Sequence, residues 1–318
     1  MPSRFYTGAM DDQTSREQAW PALPFEAWAD SCATLHMWTQ IVGKIRLRES
    51  APINHGWHST LYVTSRGLTT TPIPHGLRTF QIDFDFIDHE LVLSVSDGTT
   101  ARVALEPQTV AVFYRRVLGA LHGLDLDVKI HDRPNEVPDP IPFERDEVHR
   151  AYDAAAVNRF WRALVQSDRV FKMFRSGFIG KCSPVQLFWG ALDLAVTRFS
   201  GRTAPEHPGG IPNLPDRVTR EAYSHEVSSC GFWAGGGAVD YPAYYAYAYP
   251  EPAGFPDVRV GPAQAFYSTD FREFILPYDA VRLSDDPDRT LLQFLESTYA
   301  AAADLAKWDR TALERRLG

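Results

Sequence analysis

The sequence is poor in cysteine and has no long apolar segment. Its three cysteines cannot all pair and form no CxxC motif, so neither a disulfide framework nor a zinc knuckle is expected. No run of about 18 apolar residues occurs, which argues against membrane insertion. A clustered basic stripe is also missing and the net charge is −8, so nucleic acid is not an expected partner.

Aromatic residues are abundant instead, with 8 Trp, 13 Tyr and 19 Phe. Large aromatic side chains fill cores, and they also line pockets for organic ligands. The favoured partner is therefore a small molecule, and the sequence carries no signal for an oligomeric state. Alternation along Ala243–Tyr249 puts Tyr245, Tyr247 and Tyr249 on one strand face, which is either a pocket wall or an aromatic core.

A proline-rich connector at residues 133–143 divides the chain. Four of its eleven residues are prolines, which restrict the backbone and favour an extended segment. The N-terminus has no apolar signal sequence, so we expect a flexible arm and a cytoplasmic location. The predicted division is an N-terminal arm, a first α+β half, the connector, a second α+β half and a C-terminal tail, at residues 1–19, 20–132, 133–143, 144–310 and 311–318.

The two halves show the same order of elements. In each, the hydrophobic pattern predicts a helix, then several strands, then another helix. The first helix is predicted over residues 25–42, with Gly43 ending it, and Gly43-Lys44 matches Gly180-Lys181 in the second half. We therefore predict an α+β fold of two related helix–antiparallel-sheet–helix halves, which pack around a pseudo-twofold cleft.

A long loop, Gly201–Val218, contains four prolines and a Gly-Gly pair. Loops longer than about 12–15 residues are uncommon in compact domains and often form lids or binding loops. The loop is interpreted either as a lid, which would direct His207 into the cleft, or as a stiff surface excursion.

Two histidines lie close together in the motif Asn54-His-Gly-Trp-His58. Histidine binds metals through a neutral ring nitrogen, and a short spacing lets one loop supply two ligands. His55, His58 and His225 are therefore predicted as candidate ligands of a divalent metal, Zn²⁺ or Fe²⁺. The alternative is that His58 forms hydrogen bonds within a turn.

Carboxylates within predicted strands are the other candidates for chemistry. Glu226 shares a strand face with Ser228 and Cys230, and Asp193 lies in an apolar strand. A carboxylate inside a strand needs either a partner or a polar cleft. Glu226, Asp193 and His58 are therefore predicted as acid/base residues. Cys230 is either a nucleophile or a small buried hydrophobe.

Several longer strings are more specific than these short motifs: Leu35–Lys44, Asn54–His58, Tyr62–Leu68, Phe178–Pro184 and Tyr223–Trp233. They resemble the signatures of a bacterial family of proteins of unknown function, over about Trp20 to Trp308. The resemblance implies one unit over nearly the whole chain and supplies no mechanism.

Two functions are compatible with these observations. The first is a small-molecule enzyme of unknown reaction that uses polar residues of the cleft, with or without a metal. The second is a non-catalytic protein whose aromatic pocket binds an apolar or aromatic small molecule.

Overall fold

The first half consists of a helix, an antiparallel sheet and a second helix, in that order along the chain. The computed structural model describes residues 16–237 and 239–315. Helix α1 (Ala29–Glu49) comes first and helix α2 (Val110–Gly123) last. Between them lie β1 (Tyr62–Val63), β2 (Gly67–Thr69), β3 (Ile73–His75), β4 (Arg78–Asp85), β5 (Glu90–Val95) and β6 (Thr100–Ala104). The sheet order is β1-β2-β4-β5-β6, with β3 also paired to β4.

The second half follows the same scheme with more connections. Its elements are α3 (Ala154–Ser176), β7 (Gln186–Phe188), β8 (Asp193–Thr203), α4 (Asp216–Ala222), β9 (His225–Trp233), β10 (Ala243–Tyr249), β11 (Phe266–Ser268), β12 (Glu273–Pro277), α5 (Tyr278–Arg282), α6 (Pro287–Leu305) and α7 (Arg310–Leu313). The antiparallel sheet has the order β11-β12-β10-β9-β8-β7. This confirms the predicted α+β fold of two related halves.

The two halves contact each other through a strand bridge and through two lysine–tryptophan pairs. Leu61 and Leu187, at the first strand of each sheet, form an antiparallel bridge with N···O distances of 2.9 and 2.8 Å. Lys44 of the first half lies 5.6 Å from the ring centroid of Trp189 in the second half. Lys181 of the second half lies 5.6 Å from the ring of Trp57 in the first. The Gly-Lys motif of each half therefore lies next to a tryptophan of the other half.

The prediction that Gly43 ends the first helix was wrong. Helix α1 continues to Glu49. Position 43 needs a glycine because of a contact with the second half: an added Cβ would lie 2.2 Å from Cδ1 of Trp189. A glycine inside a helix costs about 1 kcal/mol relative to alanine, and here it lets the indole of the other half approach the helix backbone.

The second sheet has one face covered by helices. Phe232 and Tyr244 point to this face and contact Phe160 and Phe171 of α3, and α6 packs against β9 and β10. Side chains alternate along a strand, so the neighbouring residues point to the opposite face. Residues 193, 229, 231, 245, 247 and 273 therefore lie away from α3 and α6.

The structure describes part of each predicted chain end. Most of the predicted N-terminal arm, residues 1–15, lies outside the described residues. In the predicted C-terminal tail, the carbonyl oxygen of Leu313 accepts a hydrogen bond from the backbone N–H of Ile179 at 2.8 Å. Among the residues described, no helix combines the length and apolar character needed to cross a membrane.

Candidate functional site

Carboxyl and tyrosine side chains gather on the face of the second sheet that the helices leave uncovered. Strands β8, β10 and β12 supply part of the group, and the connector and the segment after α4 supply the rest. We call this group the carboxyl–tyrosine face; its members are Glu136, Asp193, Tyr223, Tyr245, Tyr247 and Glu273.

Asp193 is the first residue of β8 and remains partly accessible to solvent. The Tyr245 hydroxyl donates a hydrogen bond to Asp193 Oδ2. Burial raises the pKa of Asp193 to about 6, and the hydrogen bond from Tyr245 works against that rise because it favours the ionised carboxyl. An acid with such a pKa can both accept and release a proton near neutral pH.

Glu273 and Glu136 are the two other carboxyls of this face. Burial, followed by the charge of Asp193, raises the pKa of each to about 7. Glu136 is solvent-exposed, so water screens part of this effect. In the described part of the chain, no Lys or Arg forms an ion pair with any of the three. The negative charge of the face is therefore not neutralised by the protein.

Tyrosines form a continuous wall beside the carboxyls. The hydroxyls of Tyr223 and Tyr247 are 2.9 Å apart, and the rings of Tyr245 and Tyr247 stack with centroids 6.1 Å apart. Burial raises the pKa of Tyr223 to about 12, and the charges of Glu273, Asp193 and Glu136 add to the rise. All three carboxyls therefore lie within electrostatic reach of the Tyr223 hydroxyl.

The connector is fixed at the edge of this face by the first half. Gln40 of α1 is fully buried; its amide donates to the carbonyl oxygen of Asn135 at 2.8 Å and accepts from the Asn135 N–H at 2.7 Å. The next residue, Glu136, has φ of 59° and lies against Gly190, where an added Cβ would be 1.9 Å from Glu136 Oε1. Lys44 also contacts the Asn135 side chain, and burial lowers the pKa of Lys44 to about 8.

The proline-rich loop contacts both the connector and the tyrosine wall. Asn135 Nδ2 donates to the carbonyl oxygen of Asn213 at 2.7 Å. The His207 ring stacks on Tyr223 with centroids 4.8 Å apart, and Tyr249 donates to the carbonyl oxygen of Pro205 at 3.0 Å. His207 therefore points to the tyrosines of this face.

The predicted metal ligands are only partly brought together. His55 and His225 have ring centroids 6.0 Å apart. His55 Nδ1 lies 3.0 Å from the carbonyl oxygen of Ala222, and its Nε2 lies 2.6 Å from Lys181 Nζ. His58 Nδ1 instead accepts a hydrogen bond from the Ile53 N–H at 3.1 Å. This is the hydrogen bond within a turn that was considered as the alternative to metal binding.

Within residues 16–237 and 239–315, no three His, Cys, Asp or Glu side chains form a group that could hold a metal ion. The lysine contact also occupies the His55 nitrogen that a metal would need.

Glu226 lies apart from His55. It forms an ion pair with Arg202 at 2.6 Å, and Arg202 also donates to the carbonyl oxygens of Ala306 and Lys307 beyond α6. Glu226 thus lies on the helix-covered side of β9, whereas His55 contacts Phe199 on the opposite side of the sheet, with centroids 4.6 Å apart. The two predicted site residues do not face a common space.

Asp193 and the tyrosine strand were predicted from the sequence, whereas Glu136 and Glu273 were not. Glu273 carries the same signal as Asp193, a carboxylate inside an apolar strand, and that signal could have revealed it. Glu136 lies in a connector that was interpreted as a spacer, and nothing local marks it as part of a site.

The fold and this face define a two-half α+β protein with an acidic, tyrosine-lined surface. A family model described as a family of unknown function (DUF5996) matches residues 20–315, and the chain belongs to that family. Neither the comparison with curated proteins nor that with solved structures gives a match.

Proposed function

We propose that this protein is a small-molecule enzyme that transfers protons at the carboxyl–tyrosine face, with Asp193 as an acid/base residue. One observation carries the proposal: three carboxyls without cationic partners share this face, and burial raises their pKa values to about 6, 7 and 7. Groups poised near neutral pH are the ones that general acid–base catalysis requires.

A purely structural role explains these carboxyls poorly. Buried acids that only stabilise a fold are normally ion-paired or accept several hydrogen bonds, as Asp85 does from Arg66, Ile87 and Asp88. Asp193 accepts from Tyr245, and Glu273 has no such partner among the residues described. Retaining unneutralised acids costs stability, which is typical of functional sites.

The surroundings suit a small organic substrate. The tyrosine rings offer apolar contacts, while their hydroxyls and the carboxyls offer polar ones. The proline-rich loop and the connector border the face from two sides, and we assign the loop the role of a lid. Such covers exclude water and strengthen electrostatic interactions in the site.

The proposal is tested by incubating the protein with a mixture of small metabolites and following each compound by liquid chromatography coupled to mass spectrometry, which separates isomers of equal mass. Wild-type protein should deplete at least one compound, and Asp193→Asn should slow this by about 10²- to 10⁴-fold, the usual contribution of a positioned acid or base. Asp83→Asn is the matched control, since Asp83 lies in the first sheet and accepts from Gln81 Nε2 at 2.9 Å. Equal rates for wild type and Asp193→Asn would contradict the proposal.

A second candidate function, non-catalytic binding, is favoured by a different feature. A cavity of about 270 Å³ lies between the ends of β9 and β10 and the end of α6. Its lining is mixed: small apolar side chains such as Ala248, Ala302 and Ala306 lie beside Glu226 and Trp308. An apolar ligand recovered unchanged, and lost in Ala306→Phe but not in Asp193→Asn, would favour binding over catalysis.

A further inference from the structure

The Tyr245 ring lies directly over the backbone of Gly231. Strand β9, which contains Gly231, runs between β10 and β8. A Cβ added to Gly231 would be 2.3 Å from both Cζ and Oη of Tyr245, far inside van der Waals contact. Because glycine leaves this space open, the ring can cross β9 and its hydroxyl can reach Asp193 on β8.

This arrangement distinguishes Asp193 from the other two carboxyls. Asp193 receives a hydroxyl donor, while no hydrogen-bond donor reaches the carboxyl of Glu136 or Glu273 within the described chain. A donated hydrogen bond favours the ionised form of a carboxyl over the protonated form. Among three acids that share one region, the acid with the donor ionises first.

We infer that Tyr245 is a positioning residue, which makes Asp193 the base of the site and leaves Glu273 as its acid. The inference rests on the function proposed above. Glu273 is preferred to Glu136 as the acid because it is partly buried at the start of β12, whereas Glu136 is exposed to water.

The roles define a class of reaction. The Asp193 carboxylate takes a proton from one atom of the substrate, and the Glu273 carboxyl gives a proton to another. The substrate keeps its atoms and electrons, so the product is an isomer formed by a proton shift. Exchange with water then moves the proton from Asp193 and restores the one on Glu273. Suitable substrates carry a C–H bond acidified by a neighbouring carbonyl or imine group.

The groups that face Asp193 determine what loss of the Tyr245 hydroxyl should do. They are Glu136 from the connector, Glu273 from β12, Tyr223 after α4, and Tyr245 and Tyr247 from β10. None of these is a cation. Removing the Tyr245 donor leaves a smaller contribution from the Asp193 N–H, which favours the ionised carboxyl. Burial and the neighbouring negative charges then act more strongly, and both favour the protonated acid.

Carboxyl titration by NMR on the full chain, with ¹³C-labelled aspartate, tests the inference without any substrate. The Asp193 signal is assigned by its loss in Asp193→Asn. Tyr245→Phe should raise the Asp193 midpoint by about one pH unit, equivalent to a roughly tenfold weaker acid.

Tyr247→Phe is the matched control, since it removes a hydroxyl from the same strand face that pairs with Tyr223 instead. It should leave the Asp193 midpoint in place. An unchanged midpoint in Tyr245→Phe, or an equal shift in Tyr247→Phe, would overturn the inference. Failure of the proposed function would be recognised separately, as unchanged metabolite conversion in Asp193→Asn.

Discussion

Replacing Gly43 by alanine tests how the two halves are joined. The new Cβ would lie 2.2 Å from Cδ1 and 2.3 Å from Nε1 of Trp189, whereas carbon atoms in contact are normally about 3.5–4.0 Å apart. Trp189 is buried and its Nε1 donates to the carbonyl oxygen of Ser59 at 2.7 Å. The indole therefore has to move, and its hydrogen bond to the first half is strained or lost.

The magnitude follows from three opposing effects. Overpacking costs about 1–3 kcal/mol, and loss of the indole hydrogen bond costs about 1 kcal/mol. Replacing glycine by alanine inside a helix recovers about 1 kcal/mol. Gly43→Ala should therefore lower the free energy of unfolding by about 1–3 kcal/mol, measured by urea denaturation with tryptophan fluorescence and circular dichroism.

Gly119→Ala supplies the control with the same chemical change. Gly119 lies inside α2, is exposed, and has nothing within 4 Å of the added Cβ. It should raise the free energy of unfolding by about 0.5–1 kcal/mol, because helix propensity acts alone. If Gly43→Ala proved as stable as wild type, the close approach of Trp189 to α1 would be refuted.

Two further predictions concern ionisable groups. The pKa values of Asp193 and Glu273 are raised from 3.8 to about 6 and from 4.5 to about 7, so the folded state holds these protons to higher pH than the unfolded state. Their contribution to the free energy of unfolding should be greatest below about pH 4 and fall as pH rises to about 7, and urea titrations should show a smaller fall for Asp193→Asn than for wild type. Burial raises the pKa of Cys32 to about 12, that of Cys182 to about 11, and that of Cys230 further. Iodoacetamide should therefore label Cys230 in the native protein far more slowly than a free thiol, and rapid labelling would favour the nucleophile alternative.

Local patterns predicted most of the elements. Phe80, Ile82 and Phe84 alternate with polar residues along β4, and the turn dipeptide Asp97-Gly98 joins β5 to β6, with Gly98 at φ of 91°. These features depend on neighbouring residues, which the sequence shows directly. The prediction from Gly43 failed because a glycine is needed there to make room for the indole of Trp189. That contact involves a distant residue, so the neighbouring sequence does not show it.

The same difference between local and long-range causes explains which residues of the candidate site were predicted from the sequence. The parity of Glu226 with Cys230 was correct, and both lie on the helix-covered side of β9. The alternation of side chains shows which residues of a strand share a face. It does not show which face the helices cover, because that depends on packing between distant segments. Asp193 and Tyr245 were predicted because each has a local signal in the sequence, whereas Glu136 reaches the face through a connector held by Gln40.

Deuterium uptake from solvent is the most direct test of proton transfer at the carboxyl–tyrosine face. The protein is incubated in D₂O with a mixture of small metabolites, and mass spectrometry follows replacement of carbon-bound hydrogen. Wild-type protein should introduce deuterium into at least one compound, and Asp193→Asn should slow that uptake by at least about 100-fold. No deuterium uptake with wild type, or equal uptake with Asp193→Asn, would contradict the account.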